Sequence, residues 1–271
     1  MRVITLTTDF GYKDPYVAEM KAVILSINPN VTLVDISHEV KRHDIYHAAY
    51  LLLTSCKYFP LGAIHVVVVD PGVGGLRKSI VIRTRRFTFI GPDNGVLFPA
   101  AVEDGILEIR EIRNPILLRR KVTSTFHGRD IFAPIAAYLS LGIDVKHVGP
   151  RLSIGEVRKL YLPKAIVIDD NTICANIIHI DNFGNVITNV KERQFADFLG
   201  KASFIEISTK SARFVVPVVK TYSEVEEGSL LALINSEGFL EISVNKGAAS
   251  EVLNVKRGGK IYIRRKYDSA F

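Results

Sequence analysis

An apolar run, AIHVVVV at residues 63–69, ends abruptly at Asp70 and constrains the fold of this chain more than any other segment. The run lacks the polar alternation of a half-exposed strand, so it predicts a strand that is buried on both faces. Such strands occur almost only in sheets that carry helices on both sides. Upstream, strand and helix patterns alternate: Val3–Thr8, Asp14–Ile27, Val31–Ile36 and His43–Thr54. The alternation predicts an α/β N-terminal domain with a central, mainly parallel sheet.

The pattern changes near Pro163. From there, short apolar segments follow one another with few helical stretches, and turn residues such as Asn182–Asn185 and Ser236–Gly238 separate them. This rhythm is typical of a small barrel or a sandwich. The sequence therefore predicts two domains, an α/β domain over residues 1–160 and an all-β, barrel-like domain over residues 165–271, with the boundary within residues 155–165.

The composition is that of a folded, basic protein, with 48% hydrophobic residues, 23% charged residues and a formal net charge of +7. A basic surface attracts nucleic acid or anionic membranes. However, the tight basic runs at 83–86, 119–121 and 264–266 are short and have no interleaved aromatic residues. No apolar run reaches membrane-spanning length. We therefore expect neither a nucleic-acid nor a membrane partner.

Two cysteines, Cys56 and Cys174, lie in apolar sequence and form neither a CxxC pair nor a zinc-ligand spacing. They predict buried thiols, which are typical of a cytoplasmic protein. The chain opens directly on a strand pattern, so we expect no secretion signal. The single glutamine, Gln194, and the absence of tryptophan are compatible with a thermophilic source.

Asp9 follows the first predicted strand, in TTDFGYKD. At the carboxyl end of a strand in an α/β sheet, a side chain faces the crevice where ligands bind. A carboxylate there can accept hydrogen bonds from both hydroxyls of a ribose. The alternative is a capping or turn aspartate, because Gly11 follows closely, and spacing alone slightly favours that alternative.

The glycine-rich segment VVVVDPGVGGLRKS, residues 66–79, invites comparison with a phosphate-binding loop. A Walker loop requires G-x-x-x-x-G-K-[ST]. Here Arg77 takes the place of the second glycine, so we reject that interpretation. The turn instead leaves Asp70 and Arg77 able to face one cavity, although an ordinary surface turn with a solvated arginine is the simpler alternative.

His127 lies in STFHGRDIFAP, just before a predicted helix. Histidine is the side chain best suited to proton handling near neutral pH. A lone loop histidine is more often simply exposed, so a chemical role requires that His127 meet Asp70 and Arg77 in space.

Two turns of the second domain carry polar residues. HIDNFGNVITN places Asp181 and Asn185 between apolar strands, and asparagine can both donate to and accept from an adenine edge or an amino-acid head group. The same residues suit a β-turn with positive φ, and both interpretations are compatible. Ser236 lies in a second turn, INSEGFL, and GPDNG at 91–95 is first of all a turn signal. No HExxH, His/Cys cluster or GxSxG occurs, so we expect no metal site and no serine nucleophile.

Taken in order, these segments resemble the S-adenosyl-L-methionine (SAM) hydroxide adenosyltransferase family, whose relatives include a fluorinase and a chlorinase. The resemblance covers nearly the whole chain and rests on six motifs: TTDFGYKDPYVAEMKAVI, VDPGVGG with Arg77, GPDNG, TFHGRD, IDNFGNVITN and INSEGFL. It implies hydrolysis of SAM to adenosine and L-methionine, with SAM as the substrate and no further cofactor. It also implies a homotrimer with active sites at the subunit interfaces.

The resemblance further implies a role for individual side chains. By position, Asp70, Arg77 and His127 match the group that handles water in the hydrolytic subfamily. The remaining positions resemble substrate contacts, namely Asp9 at the ribose diol, Asp181 and Ser236 at the methionine or sulfonium, Asn185 and Val244 at the adenine edge, and Tyr222 stacked on the base.

The chain departs from the halogenating relatives at the position of the nucleophile. Those relatives carry an aromatic residue at Asp70, a tyrosine at His127 and a serine at Gly128, so the residues present here favour water over halide. They also carry an arginine where Glu237 stands, which leaves recognition of the methionine carboxylate less well defined. Halide transfer to the same carbon, and a sensor that binds adenosine or SAM without turnover, remain the alternative functions.

Overall fold

Seven strands of the N-terminal unit form one sheet in a computed structural model of the chain that describes residues 2–210 and 212–266. The chain divides into two compact units, Met1–Leu162 and Pro163–Phe271. The strands of the first unit are β1 (Val3–Thr8), β2 (Thr32–Ser37), β3 (Ile64–Val68), β4 (Ser79–Thr84), β5 (Thr88–Pro92), β6 (Ile106–Glu111) and β7 (Arg151–Leu152). Its helices are α1 (Tyr16–Ile27), α2 (Ile45–Ser55), α3 (Phe98–Asp104) and α4 (Ala133–Ser140).

The sheet has the order β2-β1-β3-β5-β4-β6-β7 and is mixed. The pairings β1–β2, β1–β3 and β3–β5 are parallel, whereas β4–β5, β4–β6 and β6–β7 are antiparallel. The prediction of a mainly parallel sheet is therefore only partly right. The physical reason lies between β4 and β5, where a connection of three residues, 85–87, is too short for a crossover and forces a hairpin.

The central strand β3 is buried on both faces, as the apolar run predicts. Val66 and Val68 pack into a core with residues of α1 and α4, and Val67 packs into a second core with residues of α2 and α3. Successive side chains of a strand point to opposite faces, so one continuous apolar run serves both cores.

The second unit is built from eight strands, β8 (Ile166–Asp169), β9 (Thr172–Ile180), β10 (Val186–Lys191), β11 (Phe204–Ser208), β12 (Arg213–Pro217), β13 (Leu230–Ile234), β14 (Phe239–Val244) and β15 (Lys260–Lys266). Two short helices accompany them, α5 (Glu192–Leu199) and α6 (Ala249–Val252).

This second sheet curls into a nearly closed, barrel-like structure. Its order is β12-β11-β15-β9-β10-β14-β13, and β8 pairs with β9. The two ends meet just beyond β12, where the Val219 amide donates to the carbonyl oxygen of Ala232 at 2.9 Å. The barrel, not the sandwich, is thus the all-β form that this chain adopts.

Within residues 2–210 and 212–266, no helix combines the length and the apolar character needed to cross a membrane.

Candidate active site

The first two candidate carboxylates lie at the same edge of the N-terminal sheet. β1 and β3 are parallel neighbours, with Thr8 opposite Val68. Asp9 is the first residue after β1, and Asp70 is the second residue after β3. Both side chains therefore lie where the strands of an α/β sheet open into a crevice.

The glycine-rich turn brings Arg77 back onto Asp70. Gly74 has φ +76°, and a Cβ atom on it would lie 2.3 Å from the carbonyl oxygen of Ser124. Only glycine permits this close approach. The turn is thereby packed against the segment that leads to His127.

Asp70 and Arg77 form a buried, multidentate ion pair. The Arg77 Nε donates to both carboxylate oxygens of Asp70, at 3.0 and 2.9 Å, and a terminal guanidinium nitrogen donates to Oδ2 as well. The Asp70 side chain is 4% exposed and that of Arg77 is 8% exposed. Charge-assisted pairs of this kind fix the geometry of both groups.

His127 joins the same cluster, at a distance of 50 residues along the chain from Arg77. A terminal nitrogen of Arg77 lies 2.6 Å from His127 Nδ1. Burial, followed by the Arg77 cation, lowers the pKa of His127 below its ordinary value of 6.5, and the carboxylates of Asp70 and Asp130 oppose that shift only in part. The imidazole is thus neutral near pH 7.

The segment that carries His127 is anchored by Asp130, whose side chain is fully buried. Asp130 accepts hydrogen bonds from Arg119, Thr123 and Arg129, and Arg129 also pairs with Glu19 of α1 at 2.7 Å. Burial disfavours its ionised form, but the hydrogen bonds from Arg129 and Thr123 lower the pKa of Asp130 to about 2. The position of His127 is therefore set by a fixed carboxylate.

Gly128 begins a π-helical turn, Gly128–Phe132, immediately after His127. A Cβ atom on Gly128 would lie 3.1 Å from Met20 Sδ and 3.3 Å from Val68 Cγ1. A serine at this position would force those neighbours to shift by a few tenths of an ångström. The packing beside His127 thus suits glycine.

Asp9 is tied to a neighbouring turn through one oxygen only. The backbone amide of His43, a residue with φ +63°, donates to Asp9 Oδ2 at 2.8 Å. Among the described residues, no other donor to Asp9 is found. The Asp9 carboxylate is thus held by a segment 34 residues away and not by a local turn, and its other oxygen is open to a ligand.

The GPDNG segment, residues 91–95, is bonded to the strand end that leads to Asp70. The Asn94 side chain donates to the carbonyl oxygen of Val69, the residue before Asp70, at 2.8 Å. Asp93 accepts from the Arg158 backbone amide at 2.8 Å, and burial raises the pKa of Asp93. These residues hold the end of the chain segment that presents Asp70.

In the second unit, Asp181 organises its own turn. Its carboxylate accepts from the backbone amides of Phe183 and Asn185, both at 2.9 Å, and from the Asn185 side chain at 2.8 Å. Asn185 is 7% exposed. The turn is thus rigid and leaves the Asn185 side-chain oxygen available as an acceptor.

Tyr222, Asn185 and Val244 lie toward one end of β14, and Ser236 lies beyond the other end. Val186 is opposite Ile242 in the β10–β14 pair, and Val244 is the last residue of β14. Ser236 is exposed in the turn between β13 and β14, before the strand begins. A six-residue strand spans roughly 20 Å, so the C-terminal candidates form two groups.

Glu241 connects these groups, and nothing in the sequence analysis pointed to it. Its carboxylate accepts from the Tyr222 hydroxyl at 2.8 Å, from Ser243 at 2.7 Å and from Asn235 at 3.2 Å. Burial and the Glu241 carboxylate raise the pKa of Tyr222 well above its usual 10. Tyr222 is therefore a neutral hydroxyl donor, and the residue as a whole is 41% exposed.

Ser79 and Asp130 are further site residues that the sequence analysis missed. Ser79 Oγ accepts from Arg77 at 2.8 Å. A signal for Ser79 was present, because residues two apart at the start of a strand share a face. Asp130 stands in the TFHGRD motif, and its partners Arg119, Thr123 and Arg129 lie within 11 residues of it, but only His127 was singled out from that motif.

No group of three or more His, Cys, Asp or Glu side chains among the described residues is arranged to hold a metal ion.

Comparison with known proteins agrees with the motifs. Residues 4–149 match the SAM hydroxide adenosyltransferase N-terminal domain and residues 175–262 match the corresponding C-terminal domain. A protein of Methanocaldococcus jannaschii named (R)-S-adenosyl-L-methionine hydrolase is 41% identical over 93% of this chain and 92% of its own length. A Thermus thermophilus protein of the same name is 36% identical over 95% of this chain and 98% of its own length.

A solved structure has the same fold. The crystal structure of an uncharacterized conserved protein from Thermotoga maritima superimposes with a TM-score of 0.91 at 40% identity, covering 98% of this chain and 100% of that one. This chain is thus a two-domain protein. It consists of an α/β unit with a buried ionic cluster at its sheet edge, followed by a barrel-like β unit. The chain belongs to the SAM hydroxide adenosyltransferase family, which confirms the resemblance seen in its motifs.

Proposed function

We propose that this protein hydrolyses SAM to adenosine and L-methionine. The observation that carries the proposal is the contact among Asp70, Arg77 and His127 at the open edge of the sheet. Relatives named (R)-S-adenosyl-L-methionine hydrolase at 33–41% identity support it. The fluorinases among the relatives are only 23–25% identical.

The reaction is an in-line displacement at the ribose C5′. The water oxygen forms a bond to C5′, the C5′–S bond breaks, and its electron pair stays on sulfur, so L-methionine leaves as a neutral thioether. Water is a weak nucleophile, so alignment supplies much of the rate, up to roughly 7–11 kcal/mol in model reactions.

Asp70 is the group that takes the proton of the attacking water. An arginine has only donors, so the contact with Arg77 requires His127 Nδ1 to be an acceptor and places the imidazole proton on Nε2. His127 then donates a hydrogen bond to the water oxygen and orients it. Arg77 fixes both partners through charge-assisted hydrogen bonds and serves to position them.

Substrate recognition is divided between the two units in this proposal. Asp9 accepts from the ribose hydroxyls through the oxygen that His43 leaves open. Tyr222 stacks on the base, whose edge contacts Asn185 and Val244. Asp181, which is bonded to Asn185, and Ser236, beyond the other end of β14, serve the methionine moiety. Glu237 stands where the halogenating relatives carry an arginine.

The proposal includes a homotrimer with sites between subunits, as the family resemblance implies, and a cytoplasmic location, which two buried free thiols suit. Light scattering coupled to size exclusion tests the assembly. A monomer with full turnover would overturn that part of the proposal.

The decisive test is product analysis with the purified full-length chain. We expect the (R) epimer of SAM to yield adenosine and L-methionine, and the (S) epimer to react much more slowly. In water enriched in the heavy oxygen isotope, the label should appear in the 5′-hydroxyl of adenosine. A 5′-halo nucleoside formed at high chloride would instead favour halide transfer, and tight nucleoside binding without turnover would favour a sensor.

A further inference from the structure

A series of polar contacts among buried and partly buried side chains lies directly beside Asp9. Thr8, the residue before it, is fully buried, and its Oγ1 lies 2.8 Å from His38 Nδ1. The same oxygen accepts from the backbone amide of Phe10 at 3.3 Å. The Thr8 side chain is therefore bonded to the residue that follows Asp9, so it braces both sides of that residue.

The other nitrogen of His38 leads to a carboxylate. His38 is 1% exposed, and its Nε2 lies 3.0 Å from Asp35 Oδ1. Asp35 Oδ2 in turn lies 2.5 Å from Lys21 Nζ on α1. Polar contacts thus lead from Lys21 through Asp35 and His38 to Thr8. The His38–Asp35 step is a short electrostatic contact that is not aligned as a hydrogen bond.

The proton positions along the chain follow from its ends. A carboxylate facing His38 Nε2 places the imidazole proton on that nitrogen, so Nδ1 accepts from the Thr8 hydroxyl. A hydroxyl, an imidazole and a carboxylate in this order also make up a nucleophilic triad. Here it has no such role, because Thr8 is completely buried and out of reach of a substrate.

The backbone of the same segment strengthens the link. The Gly11 amide donates to the carbonyl oxygen of His38 at 2.8 Å, and the Val40 amide donates to that of Thr8 at 3.3 Å. Asp9 lies between these anchors, and its own carboxylate is held by the His43 amide. The turn after β1 and the segment after β2 thus form one rigid unit around Asp9.

We propose that His38, with Thr8 and Asp35, is a positioning residue for the Asp9 carboxylate and thereby sets the preference for a nucleoside with free ribose hydroxyls. Asp9 needs a fixed position to accept from two adjacent hydroxyls, and a small displacement loses one of them. The inference rests on the proposed function in one respect only, the placement of the ribose on Asp9.

The same strand offers a matched control. Thr5 Oγ1 also lies 2.8 Å from a histidine Nδ1, that of His65, and both residues are completely buried. His65 packs among Phe59, Phe87 and Phe89, in the core and away from Asp9. Thr5→Val and Thr8→Val therefore remove equivalent hydrogen bonds, and only the second adjoins Asp9.

The test is calorimetric titration of the full chain with adenosine and with 2′,3′-dideoxyadenosine. We expect wild type and Thr5→Val to prefer adenosine, and Thr8→Val to lose roughly tenfold of that preference, the size of one well-placed hydrogen bond. Thr8→Ser, which keeps the hydroxyl, should restore it. Equal preference in Thr8→Val and Thr5→Val would overturn the proposal.

A second variant covers the case in which Thr8→Val fails to fold. Asp35→Asn changes a side chain that is 25% exposed and keeps its shape, and we expect a smaller loss of the adenosine preference. An unchanged preference for adenosine in that variant would contradict the proposed role of the contacts among Asp35, His38 and Thr8. Because binding is measured without turnover, a wild-type protein that prefers adenosine but releases no methionine would refute the hydrolase alone.

Discussion

The candidate residues of the two units are held in different ways. In the first unit, Arg77 and His127 meet across 50 residues of sequence, and their contact exists only because the sheet and α4 are assembled. In the second unit, Asp181 bonds to residues two and four positions away and stabilises its own turn. The first arrangement places chemical groups against one another, and the second presents a preformed surface. Substitutions should therefore lower the rate of the chemical step in the first unit, and lower substrate affinity and local stability in the second.

The largest expected effect is that of Asp70→Asn. Removing the proposed proton acceptor while keeping its shape should lower turnover about a thousandfold, with adenosine affinity nearly unchanged. Release of adenosine, followed by chromatography, measures it.

Asp104→Asn is the matched control for that variant. The Asp104 side chain is also 4% exposed and is also paired with an arginine, Arg86. It should lower the free energy of unfolding by about 2–4 kcal/mol and leave turnover within about twofold. Equal losses of turnover in the two variants would mean that Asp70 acts through stability and not through chemistry.

The next effect concerns acid stability of the first unit. Burial lowers the pKa of His65 to about 4, from an ordinary 6.5. The unfolded chain therefore takes up this proton first as pH falls, and stability is lost from pH 6.5 downward until about pH 4. The loss should be on the order of 3 kcal/mol in denaturant titrations. His65→Phe combined with Thr5→Val should flatten this dependence, and an unchanged slope would assign it to other groups.

Asp181→Ala should have a smaller, local effect. Three hydrogen bonds of the turn lose their acceptor, so the free energy of unfolding should fall by about 1–2 kcal/mol. Asp181→Asn retains an acceptor oxygen and should lose much less. If the alanine variant kept full stability but lost turnover at saturating SAM, the second unit would resemble the first in placing reacting groups.

The smallest effect is on the pH profile of turnover. Protonation of His127 would set a second cation against Arg77 and break their hydrogen bond. Because burial and Arg77 lower the pKa of His127, the acid limb of the profile should lie below pH 6.5. A steady-state profile from pH 5 to 8 measures it, and the limb should be absent from the residual rate of His127→Gln. A rate that instead falls as pH rises through this range, and does so only while His127 is present, would mean that His127 works as a cation.

The sequence was a good guide where a property is local. The apolar run at 63–69 gave a strand buried on both faces, and the glycines after it predicted a turn that can return Arg77 to Asp70. Strand direction was less accessible, because the three-residue hairpin between β4 and β5 outweighed the α/β pattern around it. Glu241 could not be recognised, since it collects partners from separate segments and has no motif of its own. Asp130 stands in TFHGRD, but nothing in that motif indicates that its side chain is buried.

The burial of Arg77 has a consequence for how this site can change. An aromatic residue in place of Asp70 would leave a guanidinium that is 8% exposed without its counterion, a loss on the order of 3–5 kcal/mol. Single-residue steps toward halide chemistry therefore pass through an unstable intermediate. Asp70, Arg77 and His127 must be exchanged together, so an engineer who wants a different nucleophile has to redesign three codons at once.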